Sequence, residues 1–198
     1  MEHFYQSIEG WFDFENVYSE MVNRFPSGSR FVEIGTWLGR SASYMGVEII
    51  NSNKDITLDC IHLPITVIHS IKRIDDIDNE IDFKIIENNN VYDDFLSNIK
   101  PIRKIINPIL GLSNEVVKEY QNESLDFVFV DGAHDYDSVN SDISNWFIKV
   151  KENGIIGGHD YDPILFPDVV KAVNDLFGID NIRIDGYCWL VEKQNIIS

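Results

Sequence analysis

The stretch Phe31-Val32-Glu33-Ile34-Gly35-Thr36-Trp37-Leu38-Gly39-Arg40-Ser41 passes from a short apolar run into a turn with two glycines and then into a helical pattern. Residues 30–34 read as a buried central strand. Residues 41–51, with Ala42, Met45, Val47, Ile49 and Ile50, read as a helix packed on the resulting sheet. Between them Gly35 and Gly39 lack the Cβ that would keep a ligand away from the backbone. The helix that begins near Ser41 points its unpaired N–H groups at the same place. Glu33, at the strand end, opposes a phosphate and suits an amino or hydroxyl donor. Trp37 stands where the dinucleotide fingerprint G-x-G-x-x-G has its middle glycine, so the turn does not match that motif. An ordinary strand-to-helix turn explains the stretch equally well when it is taken alone.

Working outward, residues 5–24 mix aromatics and acids at helical spacing and stop at Phe25-Pro26-Ser27-Gly28-Ser29, which predicts an N-terminal helix ended by a turn. A second strand is expected over 56–62. Ile71, Ile74 and Ile77 give residues 70–80 a helical character, and 91–99 form a further helix that ends before Pro101. Residues 103–110 read as a third strand despite Pro108, and 113–120 as a short helix capped by Ser113. Strand 125–130 is followed by helix 138–150, a turn at Asn153-Gly154, strand 155–158 and helix 168–177. Two short strands, 182–184 and 187–191, close the chain around Asp185-Gly186. Strands alternate with helices, which predicts an α/β fold, a doubly wound and mostly parallel sheet with helices on both faces. No repeat or linker divides it, so residues 1–198 are expected to form one domain, with 1–25 as a helical extension.

In an open sheet of this kind ligands bind in the crevice beyond the carboxyl ends of the strands. Two strands deliver ionisable groups there. Asp131 follows Phe127-Val128-Phe129-Val130, within Asp131-Gly132-Ala133-His134-Asp135-Tyr136, and Asp160 follows Gly157-Gly158-His159. Two carboxylates with open positions beside them suit Mg²⁺ or Mn²⁺, and His159 offers a softer third ligand. His134 lies close enough to serve as a general base. Turn and capping roles explain either pair alone; both together after strong strands favour a functional site. Asp135 and Asp137 are expected to be solvated or to cap the helix from Ser138. Tyr136 and Tyr161 fit either a pocket wall or packing.

The 198 residues carry 33 Asp plus Glu against 16 Lys plus Arg, a net charge of −17, with 44% hydrophobic and 25% charged residues. These are globular values. A negative field of this size argues against nucleic-acid and anionic-membrane partners. Cys60 and Cys188 have no metal-ligand spacing; Cys60 reads as a reduced core thiol, and a cytoplasmic setting fits. The N-terminus reads as neither a signal nor a transit peptide, and no apolar run is long enough to span a bilayer. The aromatic residues Phe4, Tyr5, Trp11, Phe12 and Phe14 suit either a homo-oligomer contact or core packing.

Taken together, Glu33 to Ser41, Leu125 to Tyr136 and Gly154 to Tyr161 resemble the class I S-adenosylmethionine-dependent methyltransferases, in the branch of small metal-assisted O-methyltransferases. The resemblance covers residues 31–177. It implies that Glu33, Gly35, Thr36, Gly39, Ser41 and Asp131 surround S-adenosyl-L-methionine, with Ser113 near the adenine. It implies that Asp131 and Asp160 hold Mg²⁺ or Mn²⁺, with help from His159, and that His134 removes a proton from a hydroxyl acceptor. Catechol-type members have a lysine at the His134 position and an amide at the Tyr161 position. This chain is similar instead to the sugar-modifying members, which implies a sugar, a nucleotide sugar or another vicinal diol as acceptor. It departs from the family at His62, where the second strand usually ends in an acidic residue that binds both ribose hydroxyls. Two other classes compete: a non-catalytic binding protein of the same fold with weakened cofactor affinity, and a nicotinamide-dependent oxidoreductase, against which Glu33 and Trp37 both count.

Overall fold

A computed structural model describes residues 1–63 and 91–194. Among the described residues seven strands form one sheet, in the order β3-β2-β1-β4-β5-β7-β6. They are β1 Arg30–Ile34, β2 Thr57–His62, β3 Ile106–Leu110, β4 Leu125–Val130, β5 Val150–Gly158, β6 Arg183–Asp185 and β7 Cys188–Glu192. The first five run parallel, and β7 returns antiparallel to β5 with β6 beside it. The strand order reverses between β1 and β4, on either side of which β2 and β5 lie, so the crevice opens at the ends of these strands.

The two-residue period of the strands sorts the core into two layers. Phe31, Leu58, Cys60, Phe127 and Phe129 face one side. There they meet α1 Glu15–Arg24 through Tyr18 and Met21, α2 Arg40–Ser52 through Ala42 and Met45, and α3 Val91–Asn98 through Phe95. Val32, Ile34, Val128, Val130 and Ile156 face the other side. They pack on α5 Tyr136–Phe147 through Ile143 and Trp146 and on α6 Pro167–Phe177 through Val169 and Val173. The short α4 Ser113–Val116 precedes β4. Both cysteines are buried and unpaired, as a reduced core thiol requires.

Several expected boundaries move. The single N-terminal helix is instead a 3-10 turn, Tyr5–Ser7, and α1, because Gly10 at φ 130° carries the intervening chain away from helical geometry. The third strand begins at Ile106 rather than 103, after a 3-10 turn at Lys100–Ile102 that contains Pro101. Pro108 is tolerated because β3 is an edge strand. Ser113 does not cap its helix: Leu112 is the N-cap residue, and the Ser113 hydroxyl accepts a hydrogen bond from Trp146 Nε1 at 2.8 Å. Helix α5 starts at Tyr136 and is capped by Asp135, whose carboxylate accepts from the Ser138 N–H at 3.1 Å. Strand β5 begins at Val150 and takes in Asn153-Gly154, which sits at a register shift rather than in a free turn. The helical expectation for 70–80 lies outside the described residues.

Of the N-terminal aromatics, Phe4, Phe12 and Phe14 pack on the core, while Trp11 stays 56% exposed. No described helix is long and apolar enough to cross a membrane.

Candidate active site

A cavity of about 1230 Å³ opens beyond the ends of β1, β2, β4 and β5. Its wall includes Gly35, Thr36, Ser41, His62, Ser113 and Asp131 of the expected cofactor residues. His134, His159 and Asp160 line it as well. Residues placed by pattern on separate strands therefore share one opening. Asp162, Leu165 and Phe166 of the loop before α6 also line it, whereas Tyr136 and Tyr161 do not. Their hydroxyls donate instead to Asp175 and Asn174 of α6.

Glu33 and Gly39 are the exceptions among the cofactor candidates, since neither belongs to that wall. Strand alternation turns Glu33 into the layer of α1 and α2, where it is fully buried and accepts a hydrogen bond from Ser41 Oγ at 2.6 Å. Burial pushes its carboxyl up to about 7 against the pull of the Ser41 hydrogen bond. Gly39 is the left-handed residue before α2, and a Cβ there would meet the Phe95 ring at 2.9 Å. At Gly35, φ 88°, a Cβ would lie 1.9 Å from the Asp131 carbonyl oxygen. The missing side chains thus let the turn press on the end of β4 and on α3.

On the same side of the cavity, three wall residues hold buried polar atoms that have no hydrogen-bond partner among the described residues: Thr36 Oγ1, Trp37 Nε1 and His62 Nε2. Buried polar groups are seldom left unpaired, so this wall suits a ligand with several donors and acceptors. His62 Nδ1–H donates to the Leu63 carbonyl, 2.9 Å away, and its ring packs edgewise on Tyr92. Burial lowers its pKa, which favours the neutral imidazole.

The opposite wall is a chain of charged groups. His134 Nε2 lies 2.9 Å from Asp160 Oδ2, His159 Nδ1 lies 3.0 Å from Asp160 Oδ1, and His159 Nε2 lies 2.9 Å from Asp13 Oδ1. Asp131 Oδ1 is 4.0 Å from His159 Nδ1. Asp160 adopts φ 60°, a left-handed backbone uncommon for aspartate and typical of functional turns. Burial raises the Asp131 carboxyl, with the Asp160 charge adding to it and the two histidines opposing it. Burial works the same way on Asp160, but hydrogen bonds from His134 and His159 outweigh it and hold that carboxyl well below the usual range. Burial alone would lower the His159 pKa, yet the carboxylates around the ring lift it to about 9.

Ligand atoms of Asp131, His159 and Asp160 all lie within 4.8 Å of one another. Two carboxylates and an imidazole fit a divalent cation such as Mg²⁺ or Mn²⁺ that keeps open positions for other oxygens. Asp13 is a wall residue to which the sequence pattern gives no role. Asp13 meets His159 across 146 positions of chain, and only the folding back of the N-terminal segment brings them together.

The chain resembles solved structures at low identity. The O-methyltransferase NovP superimposes with a TM-score of 0.62 at 18% identity, covering 91% of this chain and 79% of that one. CalS11, a TDP-rhamnose 3'-O-methyltransferase of calicheamicin biosynthesis, gives a TM-score of 0.56 at 11% identity, covering 90% and 76%. Aeropyrum pernix fibrillarin with bound S-adenosyl-L-methionine gives 0.53 at 14% identity, covering 89% and 74%. These likenesses establish the fold. No curated protein matches the sequence. A family model described as a methyltransferase domain matches residues 32–161, from β1 through the acid and histidine cluster. This chain therefore belongs to the methyltransferase domain family.

Proposed function

We propose that the protein is an S-adenosyl-L-methionine-dependent O-methyltransferase acting on a hydroxyl of a small vicinal diol, a sugar above all, with a divalent cation held by Asp131, His159 and Asp160. The observation that carries this reading is the shared cavity, which has polar atoms without a partner among the described residues on the β1 and β2 side and paired ionisable groups on the β4 and β5 side.

When bound, the cofactor supplies an electrophilic methyl group and the cation lowers the pKa of a substrate hydroxyl. The residues of the chain orient and deprotonate. Asp160 holds the His134 ring at 2.9 Å, so that the imidazole stands at the cavity wall, where it would accept the hydroxyl proton. Phe166 lies against that ring, with centroids 4.8 Å apart, and limits its rotation. Thr36 Oγ1, Trp37 Nε1 and His62 Nε2 would bind polar groups of the cofactor, with His62 at the ribose. Fixing both reactants in one cavity supplies the remaining advantage by removing their freedom to misalign.

Charge narrows the acceptor. Seven aspartates line the cavity, and Arg40 is the sole Lys or Arg among its described wall residues. The Arg40 guanidinium is engaged with the Gly10 carbonyl at 2.8 Å and sits over the Tyr5 ring. This wall favours an uncharged glycoside over a nucleotide-linked sugar, whose pyrophosphate it would repel.

The test is transfer of labelled methyl from S-adenosyl-L-methionine to a panel of methyl glycosides and nucleoside-diphosphate sugars, with Mg²⁺ or Mn²⁺ and with EDTA. Metal-dependent transfer to glycosides is expected. Transfer that EDTA leaves unchanged would remove the cation from the reading, and transfer to the nucleotide-linked sugars alone would reverse the acceptor assignment.

A further inference from the structure

Asp13 stands on the N-terminal segment between two fastened points. On one side, the Gly10 carbonyl accepts a hydrogen bond from Arg40 Nη1 at 2.8 Å, and the Trp37 ring edge lies against Gly10. On the other, Phe14 is buried against Phe129 and Tyr18, with ring centroids 4.8 and 5.0 Å away. The backbone at Asp13 is therefore held from both ends, although its side chain is 55% exposed at the cavity mouth. The same dipeptide touches His159 twice. Asp13 Oδ1 lies 2.9 Å from His159 Nε2, and the Phe14 ring packs against the imidazole at a tilt of 42°, with centroids 5.0 Å apart.

An imidazole that binds a cation through one nitrogen keeps its proton on the other, and a carboxylate on that second nitrogen fixes both the tautomer and the ring orientation. His159 has this arrangement. Its Nδ1 edge faces Asp160 and Asp131, the two other members of the candidate cation site, at 3.0 and 4.0 Å. Its Nε2 edge faces Asp13.

We infer that Asp13 is a positioning residue of the cation site: its carboxylate accepts the Nε2–H of His159, so that Nδ1, which donates to Asp160 in this structure, is the nitrogen that would give up its proton and turn its lone pair to a cation between Asp131 and Asp160. Phe14 fixes the plane of the ring. The inference rests on the proposed cation site, and it adds that the N-terminal segment is part of that site. A cation bound there ties residues 10–14 to the ends of β4 and β5, while Arg40 and Trp37 tie the same segment to the turn after β1.

The test measures Mn²⁺ binding by the loss of the free-ion paramagnetic resonance signal, using the full chain without cofactor or acceptor. Wild type is compared with Asp13→Leu, Asp13→Asn and the remote Asp180→Asn, which removes one negative charge at an exposed position. Asp13→Leu is expected to raise the Mn²⁺ Kd by about 10- to 100-fold, the usual loss when the outer partner of a ligating histidine is removed. Asp13→Asn keeps an oxygen that accepts Nε2–H and should recover most of that loss, and Asp180→Asn should bind as wild type. Circular dichroism establishes that each variant is folded, and Asp13→Ala replaces the leucine variant if that one is not. Equal binding by wild type and Asp13→Leu overturns the role of Asp13 while leaving the cation site standing. Equal weakening in the asparagine and leucine variants also overturns it, because charge rather than hydrogen-bond geometry would then be the cause. Absence of Mn²⁺ binding by wild type removes the cation site and the inference with it.

Discussion

The turn after β1 and the ends of β4 and β5 face each other across one cavity, yet they are built on opposite principles. In the turn, the residues with the strongest sequence signal are closely packed: Gly35 admits the Asp131 carbonyl, Gly39 admits Phe95, and Glu33 is buried under Ser41. What remains for a ligand is a set of polar atoms on Thr36, Trp37 and His62 that have no partner among the described residues. At the ends of β4 and β5 the strong signals are themselves the wall, with Asp131, His134, His159 and Asp160 linked in a chain of ion pairs. One region serves by its shape and the other by its charges. Substitutions should therefore act on stability in the first and on chemistry in the second.

The largest effect is expected from His134→Ala, which should lower methyl transfer by roughly 100- to 10,000-fold, the usual worth of a positioned base. Calorimetry should find cofactor affinity nearly unchanged in that variant. Turnover equal to wild type would sink the assignment of His134 as the base.

Gly35→Ala tests the other region. The added Cβ would collide with the Asp131 carbonyl, and the backbone at φ 88° is strained for any L side chain. The two costs together predict a loss of about 4 kcal/mol in denaturant unfolding. A stable Gly35→Ala protein with merely weaker cofactor binding would show instead that Gly35 serves the ligand.

Glu33→Gln should do the reverse and stabilise the fold in a pH-dependent way. Below the ordinary carboxyl value of 4.5 the group is protonated in both the folded and the unfolded chain. Between there and about 7 the folded chain keeps a proton that the unfolded chain has lost, so stability falls as pH rises. Above 7 the full cost is present, about 3 kcal/mol for a shift of this size. Glu33→Gln should therefore unfold at higher urea than wild type at pH 8 and at nearly the same urea at pH 4.5. A difference that does not change with pH would place the burial effect elsewhere.

The smallest effect is expected at His62. An imidazole offers one hydrogen bond where a carboxylate offers two charge-assisted ones to a diol, so His62→Glu should tighten S-adenosyl-L-methionine binding by about 10-fold. Titration of wild type and variant measures it. Weaker binding in the variant would take His62 away from the ribose.

The contrast between the two regions also explains what could be read from the sequence. Strand ends such as Val130-Asp131 and Gly158-His159-Asp160 were legible because a buried apolar run and the polar residue that ends it are adjacent in the chain. The alternation of strands and helices placed those ends at one edge of the sheet in the same way. The direction of Glu33 was harder to read: a buried central strand is apolar on both faces, so its pattern does not say which side a lone carboxylate joins. Register with β2 and β4 settles it, and register is a long-range property. Asp13 and Trp11 were illegible for a similar reason, since their place in the wall depends on Gly10 turning the N-terminal segment back toward Trp37 and Arg40. The start of β5 differs from the expected one because Asn153-Gly154, a common turn pair, here lies at a register shift within the strand.

The central claim, that this cavity takes S-adenosyl-L-methionine beside its acid and histidine wall, is tested most directly by isothermal titration of the wild-type chain with S-adenosyl-L-methionine and, separately, with NAD. The account predicts saturable binding of one S-adenosyl-L-methionine per chain and none of NAD. Binding of NAD alone, or of neither, would contradict it.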